Sequence, residues 1–144
     1  MLVNQILASK PVTGVETVPP GTTVAAAAEM LSVKRIGALV ISKDGSTLDG
    51  ILSERDIVRE LGRRGPSCLS ETVADLMTSK IITCTKDETA DSVLEKMTQG
   101  RFRHMPVVDG AAMVGLISIG DVVKARLSEL AMEKDALEGM IMGH

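Results

Sequence analysis

One nine-residue phrase occurs twice in this chain, and its recurrence constrains the fold more than any other feature. Gly50-Ile51-Leu52-Ser53-Glu54-Arg55-Asp56-Ile57-Val58 returns as Gly115-Leu116-Ile117-Ser118-Ile119-Gly120-Asp121-Val122-Val123, with Gly, Ser and Asp each repeated at a spacing of 65 residues. Upstream the register slips by one, setting Thr23 opposite Thr89, Glu29 opposite Glu95 and Arg35 opposite Arg101. The slip falls in Lys43-Asp44-Gly45-Ser46-Thr47, a turn-like stretch where an extra residue costs little. Val3-Asn4-Gln5-Ile6-Leu7 likewise resembles Val73-Ala74-Asp75-Leu76-Met77. A period of this length means that each copy is one supersecondary unit that cannot bury its apolar face alone. Units of about 60 residues are marginal by themselves. Two of them, 1–65 and 66–128, are expected to pack sheet against sheet around a shared core, with 129–144 as a helical extension.

Both copies carry the same local signals. A turn (Pro20-Gly21, Lys86-Asp87) leads to Thr23 or Thr89, each placed to cap a helix. Val24, Ala27, Ala28 and Leu31 then fall at helical spacing, as do Ala90, Val93, Leu94 and Met97. A β-rich run follows, 36–41 or 105–108, then a turn at Asp44-Gly45 or Asp109-Gly110, and a second strand over 48–52 or 113–117. The last helix of each copy opens at Ser53 or Ser118. The fold class is therefore α/β (α+β), with two related units and small sheets covered on at least one face. The segment 62–67 is basic and turn-rich, suiting an exposed joint. Beyond the second phrase the chain runs from Asp121 to Met142 with few breakers. Leu127, Leu130, Leu137 and Ile141 lie near one helical face interrupted by Lys134, which suits a neighbouring surface or second subunit better than a membrane.

Composition removes several function classes. The formal charge is -3, and a chain with one Phe, no Tyr and no Trp has no platform for stacking bases, so no nucleic-acid partner is expected. No apolar run is long enough to span a bilayer and no signal-peptide pattern opens the chain, so a cytoplasmic protein without a membrane role is expected. Cys68 and Cys84 have no further Cys or His at metal-ligand spacing and read as small apolar residues or bystanders, and no metal site is expected. His104 and His144 belong to no catalytic motif, and Asp56 and Asp121, being repeat equivalents, belong to separate sites; no enzyme is expected. Gly115 to Gly120 has the glycine spacing of a phosphate-binding loop but continues Asp-Val instead of Lys-Ser/Thr, and no Gly-x-Gly-x-x-Gly follows a strand.

The repeated Gly-hydrophobic-x-Ser-x-x-Asp element, placed between a strand pair and a helix, resembles the nucleotide-binding signature of cystathionine β-synthase (CBS) domains. The likeness covers about residues 1–128. Arg101-Phe102-Arg103-His104-Met105-Pro106-Val107-Val108-Asp109 adds to it, because a similar run is frequent before the second signature of small bacterial CBS pairs. The resemblance implies two βαββα-type repeats with pseudo-two-fold symmetry, a disc-like homodimer, and clefts between the repeats. The clefts would take an adenosyl ligand (AMP, ADP, ATP, NAD(H) or S-adenosylmethionine) as a regulatory ligand, with no cofactor required.

Each signature residue has two readings. Ser53 and Ser118, three positions before Asp56 and Asp121, form a capping-box variant; the same hydroxyl at a helix N-terminus also suits phosphate. The Asp carboxylates offer paired acceptors to the adjacent hydroxyls of a ribose. Arg101, Arg103 and His104 are candidate phosphate contacts, since guanidinium forks onto phosphate oxygens, or else a solvated helix end. Gly50 and Gly115 allow a close approach by a ligand ring or another strand, or else are simple packing or bulge positions. Arg55 stands where the second copy has Gly120, so the phosphate ends of two filled clefts would differ. Gly37 and Ala38 stand where the second copy has Arg103 and His104, which weakens any phosphate role near Lys34-Arg35. By the resemblance, Thr17 and Thr83 would contact base or phosphate, and 15–18 and 80–83 would supply walls and backbone edges for adenine. A nucleotide-sensing module read by an unseen effector protein is the leading function. The alternative is a structural interaction protein that keeps the fold without the ligand.

Overall fold

The computed structural model describes residues 1–11 and 14–142. In chain order it has α1 (Val3–Ser9), β1 (Thr17–Val18), α2 (Val24–Lys34), β2 (Ala38–Ile41), β3 (Gly50–Ser53) and α3 (Glu54–Arg64). A 3-10 turn (Pro66–Ser70) leads to α4 (Val73–Leu76), α5 (Ala90–Gly100), β4 (His104–Asp109), β5 (Ala112–Ser118) and α6 (Ile119–Ile141). The mixed α+β architecture and the doubled unit are as the sequence implies.

The caps form where the threonines place them. The Thr23 hydroxyl accepts from the Ala26 amide at 3.1 Å, and Thr89 does the same for Ser92. Both helices end on an arginine in the left-handed region, Arg35 at φ 54° and Arg101 at φ 57°. The hairpins differ in length. β2 and β3 pair antiparallel from Ala38–Ser53 to Ile41–Gly50, whereas β4 and β5 run longer, from His104–Ser118 to Asp109–Ala112, with an irregularity at Val107/Val108. β1 lies parallel to β2 and completes a three-stranded sheet. Its counterpart in the second copy shrinks to one parallel bridge, Cys84 to Val107. Ala38, Leu39, Val40 and Ile41 are all buried, in keeping with an uninterrupted apolar strand.

The buried side chains do not form the single shared core expected from two small units. They form two clusters, and each is completed by a segment exchanged from the other copy. Val3 and Ile6 of α1 sit among Cys84, Ala90, Val93, Met97, Met105, Val107, Ile117, Val122 and Ala125. Val73 of α4, with Leu76 and Met77 beside it, joins Val18, Val24, Ala27, Leu31, Leu39, Ile41, Leu52 and Ile57. Backbone bonds fix the exchange in matched pairs. The Val3 amide donates to Glu88 O at 2.9 Å and the Ala90 amide to Met1 O at 2.9 Å; the Val73 amide donates to Thr22 O and the Val24 amide to Glu71 O, both at 2.8 Å. Each pair ties the first turn of a short helix to the first turn of a longer one, where the amides have no intrahelical acceptor. The four-residue α4 and seven-residue α1 are too short to persist alone, so this docking is what makes them helices.

The exchange explains the repeated glycine. A Cβ on Gly115 would meet Leu7 of α1 at 2.8 Å, and one on Gly50 would overlap the Met77 side chain that follows α4. The close approach at both sites is thus made by the exchanged element. Because Ile6 is only 2% exposed inside the second copy's core, Ile6→Ala should cost about 2–5 kcal/mol, as much as Ile117→Ala within that core, measured by urea unfolding.

Candidate functional site

The two Ser-x-x-Asp elements fold as reciprocal capping boxes at the starts of α3 and α6. Asp56 Oδ2 accepts from the Ser53 amide at 2.9 Å and from its hydroxyl at 3.0 Å, while Ser53 Oγ accepts from the Asp56 amide at 3.3 Å. Asp121 Oδ2 accepts from the Ser118 amide at 2.9 Å, and Ser118 Oγ from the Asp121 amide at 3.1 Å. Each carboxylate can cap and still present its other oxygen, so the two readings of the signature are compatible.

Beyond the caps the surroundings diverge. Asp56 Oδ1 accepts from Arg59 Nη2 at 2.6 Å, one helical turn on, and Arg59 is 66% exposed. Asp121 Oδ2 instead accepts from Lys10 Nζ at 2.8 Å, and the same ammonium donates to Leu116 O at 2.8 Å. Burial alone would raise the Asp121 carboxyl, but the hydrogen bonds from Lys10 and the Ser118 amide outweigh it and hold the group below the usual carboxylate range.

Asp56 opens onto a cleft of about 330 Å³ between the two copies. The first copy supplies Ile51, Ser53, Glu54, Arg55, Asp56 and Arg59. The second supplies two stretches, Thr78 with Lys80, Ile81 and Ile82, and the run from Gly100 to His104. Thr78 reaches this wall because its amide and carbonyl pair with Ile51, at 2.9 and 3.0 Å, as the chain leaves the exchanged α4. The cleft therefore has an apolar wall of Ile81, Ile82 and Phe102, a carboxylate at Asp56, and a cationic rim of Arg55, Arg59, Lys80, Arg101 and Arg103. Those five cations face two carboxylates, Glu54 and Asp56.

Nine of the residues singled out in the sequence meet here: Ser53, Arg55, Asp56, Lys80, Ile81, Ile82, Arg101, Arg103 and His104. Asp121 and Ser118 stand at the repeat-equivalent point of the other half. Gly50 and Gly115 lie under Met77 and Leu7. Thr17 is paired with Val40 in β1, and the Thr83 carbonyl accepts from Lys96 Nζ at 3.4 Å; neither lines this cleft. His144 falls outside the described residues. Arg59, Glu54, Thr78 and Phe102 were not singled out beforehand. Arg59 had a signal, because a cation three residues after a helical Asp shares its face; Thr78 had none, since its position depends on the exchange.

His104 sits at the seam. Its ring lies where a Cβ on Gly37 would approach it at 2.9 Å, so the small residue at 37 makes room for it. Burial lowers its pKa; Lys10 and Arg103 push the same way, against Glu54 and Asp121. Cys68 and Cys84 are free and buried, and burial with the nearby Glu88 charge pushes the Cys84 thiol up to about 11, far from a nucleophilic thiolate. Among the described residues no cluster of three or more metal-ligating side chains occurs, and no helix is long and apolar enough to cross a membrane.

Two interlocked strand–helix repeats with a cleft at their joint define a tandem-repeat module. The family model for the CBS domain matches it twice, over 3–63 and 73–128, and the chain belongs to the CBS domain family. It is 38% identical over 125 residues to the mitochondrial CBS domain-containing protein CBSX3 of Arabidopsis thaliana, a match covering 84% of this chain and 61% of that protein. It spans only 22% of the length of CBSCBSPB3 from the same plant. Among solved structures, the CBS-domain protein ATU1752 from Agrobacterium tumefaciens is 39% identical, with a TM-score of 0.83 over 88% of this chain and 99% of that one. PAE2072 from Pyrobaculum aerophilum, complexed with AMP, is 26% identical with a TM-score of 0.75 over 92% and 99% of the two chains. The CBS domain pair of MJ0100, in complex with 5'-methylthioadenosine and S-adenosyl-L-methionine, is 29% identical, with a TM-score of 0.76 over 90% and 98%.

A histidine whose folded pKa is depressed favours its neutral form in the native state. Its contribution to stability is intact above about pH 6.5 and is lost as pH falls from there through the lowered value. Without ligand, the melting temperature should fall between pH 7 and 5, and His104→Gln should flatten that fall.

Proposed function

We propose that the chain is a regulatory module that binds a phosphate-bearing adenine nucleotide in the Asp56 cleft and passes its occupancy to an effector protein. The observation that carries this reading is the joining of one carboxylate, an apolar wall and a five-cation rim in one 330 Å³ space built from both copies. That volume lies at the lower end of small-ligand sites. Asp56 supplies acceptors for ribose hydroxyls, and Ile81, Ile82 and Phe102 supply a surface for the base. Arg101, Arg103 and His104, with Arg55 and Ser53 at the start of α3, supply donors for phosphate. The excess of cations favours AMP, ADP, ATP or NAD(H) over S-adenosylmethionine, whose sulfonium adds positive charge. The adenosyl ligands of PAE2072 and MJ0100 support the ligand class.

Because the cleft joins the two copies, a ligand there bears on their relative arrangement, and it can shift that arrangement only by binding one form more tightly than another. The exposed apolar side chains of α6, Leu127, Leu130, Leu137 and Ile141, favour a second role in protein contact, including assembly as a homodimer.

Thermal unfolding with AMP, ADP, ATP, NADH and S-adenosylmethionine tests the reading. A phosphate-bearing ligand at 100 times its dissociation constant should add about 2.7 kcal/mol to the folded state, and S-adenosylmethionine at equal concentration less. Arg103→Ala should weaken the phosphate-bearing ligands selectively. No shift at millimolar concentration with any of them would leave a structural interaction protein as the better account.

A further inference from the structure

The two halves repeat the same capping boxes, yet their carboxylates meet different partners. In the Asp56 cleft, the chain leaving the exchanged helix docks its backbone on Ile51, through Thr78, and Lys80 remains on the lining. The repeat equivalents in the other half are Asp121, Leu116 and Lys10. There the lysine side chain turns inward. Its ammonium donates at 2.8 Å to Asp121 Oδ2 and at 2.8 Å to Leu116 O, the counterpart of the carbonyl that Thr78 engages. Lys10 and Asp121 are 29% and 23% exposed, so this contact lies partly within the fold, whereas the Arg59 that faces Asp56 is 66% exposed and can swing away into water.

We infer that the chain holds one nucleotide, not two, because Lys10 occupies the Asp121 position that a second ribose would need. The inference rests on the nucleotide reading of the Asp56 cleft. The ammonium bridges the capping oxygen Asp121 Oδ2 and Leu116 O, and so fills with positive charge the space beside the carboxylate where a ribose would lie. This half also lacks counterparts to three of the other half's phosphate donors, since Gly37 and Ala38 stand where the other half has Arg103 and His104, and Gly120 where it has Arg55, although Arg35 matches Arg101. Binding there would require a neutral ribose to displace a charge-assisted pair that is partly shielded from water. In the Asp56 cleft the carboxylate is 13% exposed, but its cation Arg59 is 66% exposed and can move into water when a ribose arrives.

Isothermal titration of the full chain with AMP, and separately with ATP, reads the stoichiometry. The expected result is one nucleotide per chain for the unaltered protein and two for Lys10→Met, with the second site at least tenfold weaker than the first. Two nucleotides per unaltered chain, or one per Lys10→Met chain, would overturn the inference. Asp56→Asn provides a check that leaves Lys10 untouched: bound nucleotide should fall toward zero, and retention of one at unchanged affinity would put the ligand on Asp121 and overturn the assignment. No binding by any of the proteins would fail the nucleotide reading itself and the inference with it, a result distinct from a stoichiometry of two.

Discussion

Everything in this molecule depends on two short helices that cross to the wrong half. Four backbone hydrogen bonds, Val3 to Glu88, Ala90 to Met1, Val73 to Thr22 and Val24 to Glu71, join helix starts that would otherwise leave amides unpaired. They also deliver Val3, Ile6 and Val73 to cores built by the other copy. A half without its donated helix would lose buried side chains, Val3 and Ile6 in one and Val73 in the other, and bare the glycine beneath, so each core is complete only with the other copy's helix. The joint cleft is a by-product of the same crossing: Thr78 reaches Ile51 only because α4 has been laid against the first sheet.

Much of this is written in the residues. The Ser-x-x-Asp elements predicted the helix starts at 53 and 118, the threonines predicted those at 23 and 89, and the constant spacing predicted two equivalent units. These signals are local, and local hydrogen bonding decides them. The likeness between the Val3 and Val73 segments was equally visible. Which core each joins was not, because apolar burial has no direction and Ile6 would fit either cavity by size alone. A shared core was the simpler expectation from the marginal size of each unit; exchange meets the same need in another way, by completing two cores instead of merging them.

The candidate site was legible to the same degree and for the same reason. Asp56, Arg101, Arg103 and His104 could be picked out by residue type and by resemblance, and they come together around one space. Thr78 and Phe102 could not, since their part in it is a matter of tertiary placement. Nor could the reach of Lys10 to Asp121, a contact across most of the chain's length made by a long, flexible side chain that leaves no periodic trace. Equivalent positions in a repeated sequence share a backbone; they need not share a job, and the divergence is carried by a handful of side chains at the edge of each cap.

The capping box at Ser118 and Asp121 opens a helix that does not stop where the repeat does. α6 continues unbroken from Ile119 to Ile141, 23 residues, which at 1.5 Å each is roughly 34 Å of rigid rod. Its first turns are held in the second core by Val122 and Ala125, and Arg126 pairs with Asp91. The part left to move is therefore 130–141, roughly 18 Å, and a tilt of about ten degrees there would carry the tip about 3 Å. The protein thus has the geometry of a short lever, with its fulcrum where α6 leaves the second core and its apolar tip, Leu137 and Ile141, held out in solvent.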